Sequence, residues 1–573
     1  MKPKIYLLAS LFFFLFGANT KAIEKIKPNS PDFGPNVFVF DPSMPMDSIQ
    51  VMVDKIFQQQ EYSQFGEGRY AFLFHPGEYN LDVNVGFYTE VLGLGASPDD
   101  VLIKGLVHSE ADWMKGNATC TFWRSVAGIA VEPKDGMNRW ATSQATPFRR
   151  MHIKGNVVLD DGGWSSGGFI ADSKIDSTIS SGSQQQYFTR NSSWGKWRGG
   201  NWNMVFVGDE NTPSGKWPDK PYTVVPKTPI IREKPFLCVD KTGNYLVRVP
   251  ELQSDSTKGI SWKTGETPGT SIPISDFYIA TVEKDNSTSI NAALRSGKNL
   301  LITPGIYYLD KSIKVTRPGT IVLGIGLPSL IPENGTPTIE VSDVDGIKIG
   351  GILSEASDAN SSNLVVIGEP GSSKSHAKDP ICLWDIFCRA GGAFNGTTDC
   401  FMTINSNDVI GDHFWLWRAD HGKGAGWNSN RNANGLIVNG NNITVYGLFV
   451  EHTQEYQTLW KGENGRVYFY QCEMPYDPPA QELWMHGNLK GYPGYKVDDS
   501  VNTHEAWGLG IYSVLSNPSV AADNGFEVPV KPGIKMNNLL TFKIRGDINN
   551  VINGVGGKAP SRVILYPESN NLR

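Results

Sequence analysis

The sequence predicts an all-β chain, a duplicated β-solenoid with short capping helices. Three observations predict it. Short runs rich in Val, Ile, Tyr and Phe, bounded by Gly and Asn, follow one another; between Trp415 and Pro479 they read GLIVNG, ITVYGLFVEH and GRVYFYQCEM. Their spacing of roughly 20 residues is that of a coil stacked on the last. Words recur in one order: Pro76-Gly77-Glu78-Tyr79 returns as Pro304-Gly305-Ile306-Tyr307, and Val91-Leu92-Gly93-Leu94-Gly95 as Val322-Leu323-Gly324-Ile325-Gly326, at offsets of 228 and 231 residues. The composition, with 61 Gly, 16 Trp and 19% charged residues in 573, suits an extracellular all-β protein better than a helical one.

Each element has its own signal. Met1 to Ala22 combines a basic start, an apolar run from Ile5 to Ala18 and a small residue at the end, which reads as a secretory signal peptide. The run is too short to span a bilayer. The product is expected to be secreted, to the extracellular space or periplasm. Residues 23–35 read as an irregular lead-in. Asp47 to Gln60 has apolar residues at helical spacing and an acid in its first turn, fit to cap an open strand edge. YAFLFHPGEYNL and YTEVLGLGASP form the first coil, and TFWRSVAGIAV, FRRMHIKGNVVL and GGFIADSKI continue it. The stretch Ser181 to Tyr222, dense in Gln, Asn, Ser and Trp, is either a polar ladder inside the solenoid or a groove wall. Thr223 to Ser271 reads as a connection with a few strands. Ser289 to Lys298 repeats the capping helix, residues 272–410 repeat the coils, and Glu482 to Arg573 completes the second solenoid. The division is a signal peptide over 1–22, a first β-helix with its connection over 23–270 and a second over 271–573.

The net charge of −6, with no Lys/Arg run, argues against nucleic acid or an anionic membrane as partner. Six cysteines are too few for a disulfide scaffold in this length; a bridge among Cys382, Cys388 and Cys400 is the most plausible pairing, and the same three lack a fourth ligand at zinc spacing. No G-x-S-x-G, H-E-x-x-H or P-loop occurs, and Gly93-x-Gly95 lacks the βαβ context of a dinucleotide site. No cofactor or metal is expected.

Glu451 and Glu473 end successive runs 22 residues apart, one coil, so the solenoid sets them side by side. Trp415, Trp417, Trp427, Trp460, Tyr470 and Tyr476 surround them in sequence. Aromatic faces that stack on sugar C–H groups, beside acids that move protons, suit carbohydrate cleavage.

The pattern W-x-W-x-A-D-H, then Y-G-x-x-x-E-H-x-x-x-Y-Q, then E-x-P-Y-x-P-P resembles glycoside hydrolase family 55, secreted β-1,3-glucanases built as two tandem right-handed parallel β-helices of the pectate-lyase-like class. The resemblance implies Glu473, in QCEMPYDPP, as general acid and Glu451, in EHTQEYQ, as second acid. A Cys, Cys472, stands directly before the acid where the family has Thr. The family inverts configuration, with the attacking water held by a Gln and a Ser of the first helix; WATSQATPFRR and WSSGGFIADS nominate Gln144 and Ser166. Gln144 fits an internal Gln ladder nearly as well. Asp420, His421 and His452, with Trp417 and Tyr476, would form the sugar-binding floor. The implied substrate is a β-glucan, and the chain is expected to act as a monomer. Two rivals remain open on the residues alone. One is a polysaccharide lyase using Arg418, Lys423, Arg431 and Lys461 to neutralise a uronate; the other is a non-catalytic glycan-binding β-helix.

Overall fold

The computed structural model describes residues 31–558 and 564–566; the signal-peptide segment lies outside them. Two α-helices occur among the described residues, α1 (Met46–Gln60) and α2 (Ser287–Arg295), and strands make up most of the remaining regular structure. In the first half a nine-stranded sheet runs from Val37–Phe40 to Tyr222–Val225 and an eight-stranded sheet flanks it. In the second half a 13-stranded sheet beginning at Phe277–Ala280 is flanked by a nine-stranded one. Within these sheets neighbouring strands belong to successive coils and pair in parallel, except for the antiparallel Ile564–Tyr566 at the far end. Parallel pairing between coils is what the repeated strand–turn words require, because each strand meets the copy of itself one turn later.

The capping helices sit where the apolar spacing places them. In α1, Ile49, Val53, Ile56 and Gln60 are buried on one face. α2 begins two residues before the expected Ser289, because the Asn286 side chain accepts hydrogen bonds from Thr288 N (2.9 Å) and Ser289 N (3.2 Å). Between the halves, Phe236–Val239, Tyr245–Pro250 and Gly269–Pro273 form an antiparallel sheet. It packs with Leu73 and Leu94 of the first helix and Leu301 and Leu323 of the second.

Each helix has its own apolar core. A third cluster joins them side by side: Phe87, Phe122, Trp123, Phe169 and Phe188 from the first pack against Phe387, Trp415, Trp417, Phe449 and Phe469 from the second. A buried ionic net crosses the same seam. Arg149 donates to Asp385 (2.8 Å) and Asp412 (2.6 Å), Arg190 to Asp412 (2.9 Å) and Glu233 (2.6 Å), and Lys234 to Asp385 (3.0 Å). The bridge weighed among Cys382, Cys388 and Cys400 is not formed. All six cysteines are free, and these three lie on separate strand positions as buried apolar residues.

Candidate active site

The second helix aligns its site residues as a stripe. The pairing register sets Glu355 beside Arg389, Arg389 beside Trp417, Trp417 beside Glu451, Glu451 beside Glu473 and Glu473 beside Tyr512. Glu451 and Glu473 are therefore direct neighbours, each the last residue of its strand, Thr444–Glu451 and Gly465–Glu473. Coil spacing alone had placed them so. Across the seam the first helix presents Phe122, Gln144, Ser166 and Gln185, spaced by 22, 22 and 19 residues, one per coil. Between the two rows lies a cavity of about 290 Å³. All nine residues nominated from sequence line it: Glu473, Glu451, Gln144, Ser166, Asp420, His421, His452, Trp417 and Tyr476.

The aromatic surround is smaller than the sequence suggested. Trp415, Trp417 and Tyr476 line the cavity, whereas Trp460 and Tyr470 are buried in the second helix's core and Trp427 packs on that core from outside. In a strand the side chains alternate in and out of the coil, so half the aromatics of any run serve the interior. Trp417 is itself buried. Its ring packs against Trp415 (4.8 Å, 16°) and Phe65 (6.1 Å, 10°), so it stiffens the wall more than it offers an open face.

Glu451 is enclosed. Its Oε1 accepts from Gln144 Nε2 (2.9 Å) and its Oε2 from Trp415 Nε1 (2.8 Å), so the first helix holds the second acid directly. Glu473 faces the cavity, with 15% of its side chain exposed. Its Oε1 accepts from Gln471 Nε2 (3.2 Å) and its Oε2 from the Tyr476 hydroxyl. Arg418 clamps Asp477 with two bonds of 2.8 Å, and that fixes the Pro-rich loop bearing Tyr476.

Among the described residues no Lys or Arg pairs with either acid. Burial, then the charge of Glu473, pushes the Glu451 carboxyl well above the usual range. Burial also raises Glu473, partly opposed by His452, 4.0 Å from its Oε2, and by Tyr476. Both shifts favour retention of a proton by the pair. Glu355, at the head of the same stripe, shows the alternative: burial opposes its charge, but Arg389 and Arg69 hold it below the usual range.

Asp420 and His421 form the far wall. Burial works against both charges. Even so, their mutual hydrogen bond (3.0 Å) keeps Asp420 down to about 2, and the contacts with Asp420 and the Cys120 thiol push His421 up to about 10. His452 Nδ1 donates to the Met474 carbonyl (3.2 Å), which turns Nε2 toward Asp420 (3.8 Å) and Glu473. Sequence reasoning missed Thr119, Cys120, Phe122, Gln185, Val514 and Ile544. The coil spacing that links Gln144 to Ser166 would have reached Phe122 and Gln185. Gln185 lies in the polar stretch read as a possible groove wall, and it forms one. The four cations weighed for a lyase lie elsewhere: Arg418 is committed to Asp477, and Lys423, Arg431 and Lys461 are exposed away from the lining.

The arrangement matches known proteins throughout. The LAM55 pectate lyase-like domain matches residues 277–473. An exo-β-1,3-glucanase of Streptomyces sp. (strain SirexAA-E / ActE) is 48% identical over 550 residues, covering 94% of this chain and 90% of the relative. The solved structure of sacteLam55A from Streptomyces sp. SirexAA-E superposes with a TM-score of 0.92 at 46% identity, over 94% of this chain and 99% of that one. A Glu-to-Ala variant of the same enzyme in complex with glucose matches equally well. The relatives share the whole tandem β-helix and not the segment 277–473 alone: the chain belongs to glycoside hydrolase family 55.

Proposed function

We propose that this protein is a secreted β-1,3-glucan hydrolase that inverts configuration, with Glu473 as general acid. The observation that carries the reading is the buried pair Glu451–Glu473, free of Lys and Arg, facing Gln144 and Ser166 across one cavity. Cleavage of a glycosidic bond needs a proton on the leaving oxygen and a nucleophile on the opposite face of the sugar. Glu473 is the member of the pair open to the cavity, so it hands over the proton. Once it is an anion, the N–H of Gln471 and the hydroxyl of Tyr476 stabilise it. Tyr476 stays a phenol throughout, since burial and the charge of Glu473 push it well above its usual range.

Glu451 holds the Gln144 amide through Nε2, and Gln144 Oε1 is left without a hydrogen-bond partner among the described residues. Gln144 and Ser166 both line the cavity, so a turn of the Gln144 amide brings this acceptor to an attacking water there. The substrate class follows the relative named as an exo-β-1,3-glucanase, which also supports release from a chain end. The test is incubation with laminarin, a β-1,4-glucan and a uronan, with products resolved by size and by anomer. Glucose or short β-1,3-oligosaccharides from laminarin, first appearing as the α-anomer, are expected. The β-anomer as first product would contradict inversion, and an unsaturated, ultraviolet-absorbing product would identify a lyase.

A further inference from the structure

His413 is fully buried behind the cavity and does not line it. Its Nδ1 lies 2.9 Å from Asp385 Oδ1 and its Nε2 lies 2.9 Å from the backbone carbonyl of Gln144, on the other helix. Both partners are acceptors, so both ring nitrogens must carry protons for both contacts to bind. A neutral ring would set one lone pair against another at hydrogen-bond distance. Burial lowers the ring's pKa; Asp385 opposes this and Arg149 adds to it, so the ring is pulled toward the neutral form and it is the two acceptors at 2.9 Å that favour the doubly protonated one. Asp385 is itself anchored by Arg149 and Lys234, so its charge stays in place.

The backbone under His413 is informative as well. Seven successive coils of the second helix turn at a left-handed residue, and these stack in register as Gly351, Asp385, His413, Gly447, Phe469, Gly508 and Asn538. Glycine or asparagine fills four of the seven corners, as the conformation favours. A histidine at φ 74° carries a backbone cost of about 1 kcal/mol or more, which its side chain must offset. The ring is also gripped. It stacks on Phe169 (4.3 Å, 8°) and meets the edges of Phe387 and Phe449. Gln144 is likewise left-handed, at φ 32°, inside an irregular stretch of the strand Ser143–Arg149.

We propose that the Asp385–His413 pair is a positioning relay: it pins the Gln144 carbonyl across the seam and so aims the Gln144 side chain at Glu451 and the attacking water. The inference rests on the reading of Gln144 given above. The test is a double-mutant cycle on laminarin hydrolysis with His413→Phe and Gln144→Ala. Phe keeps the stack on Phe169 and removes both donors, while Arg149 and Lys234 still balance Asp385. His413→Phe is expected to lower kcat about 10–100-fold with KM within about threefold, since a misplaced group costs rate rather than binding. Combined with Gln144→Ala it should add little, because the relay has nothing left to aim. His413→Gln, which keeps one N–H donor, should fall between parent and Phe, and it serves if the Phe variant folds poorly. A full additive loss in the double variant, or a His413→Phe enzyme with parental kcat, overturns the relay. A Gln144→Ala enzyme with parental kcat sinks the role of Gln144 itself.

Discussion

Glu355 and Glu451 each close a strand on the same face of the same sheet, yet their surroundings give them opposite acidities. Two guanidinium groups hold Glu355 ionised; Glu451 has an amide, an indole N–H and a second carboxyl. A carboxyl whose folded-state pKa is raised makes stability fall as pH climbs from its unfolded value through the raised one, because the unfolded chain releases its proton first. Glu451→Gln removes that penalty. The Gln144 amide can turn its free Oε1 to the new N–H₂, so the variant should gain stability over the parent near pH 7–8 and little near pH 4. Thermal midpoints at the two pH values check it; an equal difference at both would mean that Glu451 titrates normally. At this scale coil spacing reached Glu451 and Glu473, and the family resemblance reached the other nominated residues. It did not reach Cys120 or His413, whose roles come from partners about 300 residues away in the chain. It over-counted the aromatics because neither composition nor spacing says which side of a coil a ring faces.

Coils and corners are the next level up. The duplicated words at Pro76 and Pro304 marked real coils because the turn chemistry and the strand that follows are copied together. What the words did not show is that corners stack into columns of left-handed residues in both helices. In the first, Gly128, Arg150, Asp172, Asn191 and Gly208 line up. Gly447 occupies the column behind the acids at φ 63°, and a Cβ there would come 2.9 Å from Phe169 Cδ2. Gly447→Ala should therefore cost about 2–4 kcal/mol, from the left-handed backbone and from overpacking of the seam. Urea unfolding measures it, and a loss under about 0.5 kcal/mol would show that the corner can relax.

For the whole molecule, the decisive structure is the seam, where neither helix is complete alone. The first supplies Gln144 and Ser166, the second Glu451 and Glu473, and the ionic net of Arg149, Arg190, Asp385 and Asp412 keeps them in register. Removing one partner leaves a buried charge uncompensated, so Arg149→Met should destabilise the protein by about 3–5 kcal/mol. Burial opposes the charges of Asp385 and Asp412, but Arg149 with Lys234, and Arg190 with Arg149, hold their pKa values below the usual range. Their contribution is present above that range and lost as pH falls through it, so the Arg149→Met deficit should shrink toward pH 3. A deficit that stays constant with pH would show that these carboxylates do not sense Arg149. Duplication was legible in the repeated words; that the two solenoids face each other across a cleft holding the site came from the family resemblance alone, because nothing in a coil repeat specifies which flank meets the other.

The central claim is that the exposed member of the acid pair gives the proton. Glu473→Gln, assayed on laminarin and on an aryl β-glucoside with a strongly acidic phenol as leaving group, tests it most directly. The account predicts a kcat loss of about 10²–10⁴-fold on laminarin and a much smaller loss on the aryl glucoside, whose leaving group departs without a proton. Equal losses on both substrates, or parental activity on laminarin, would contradict it.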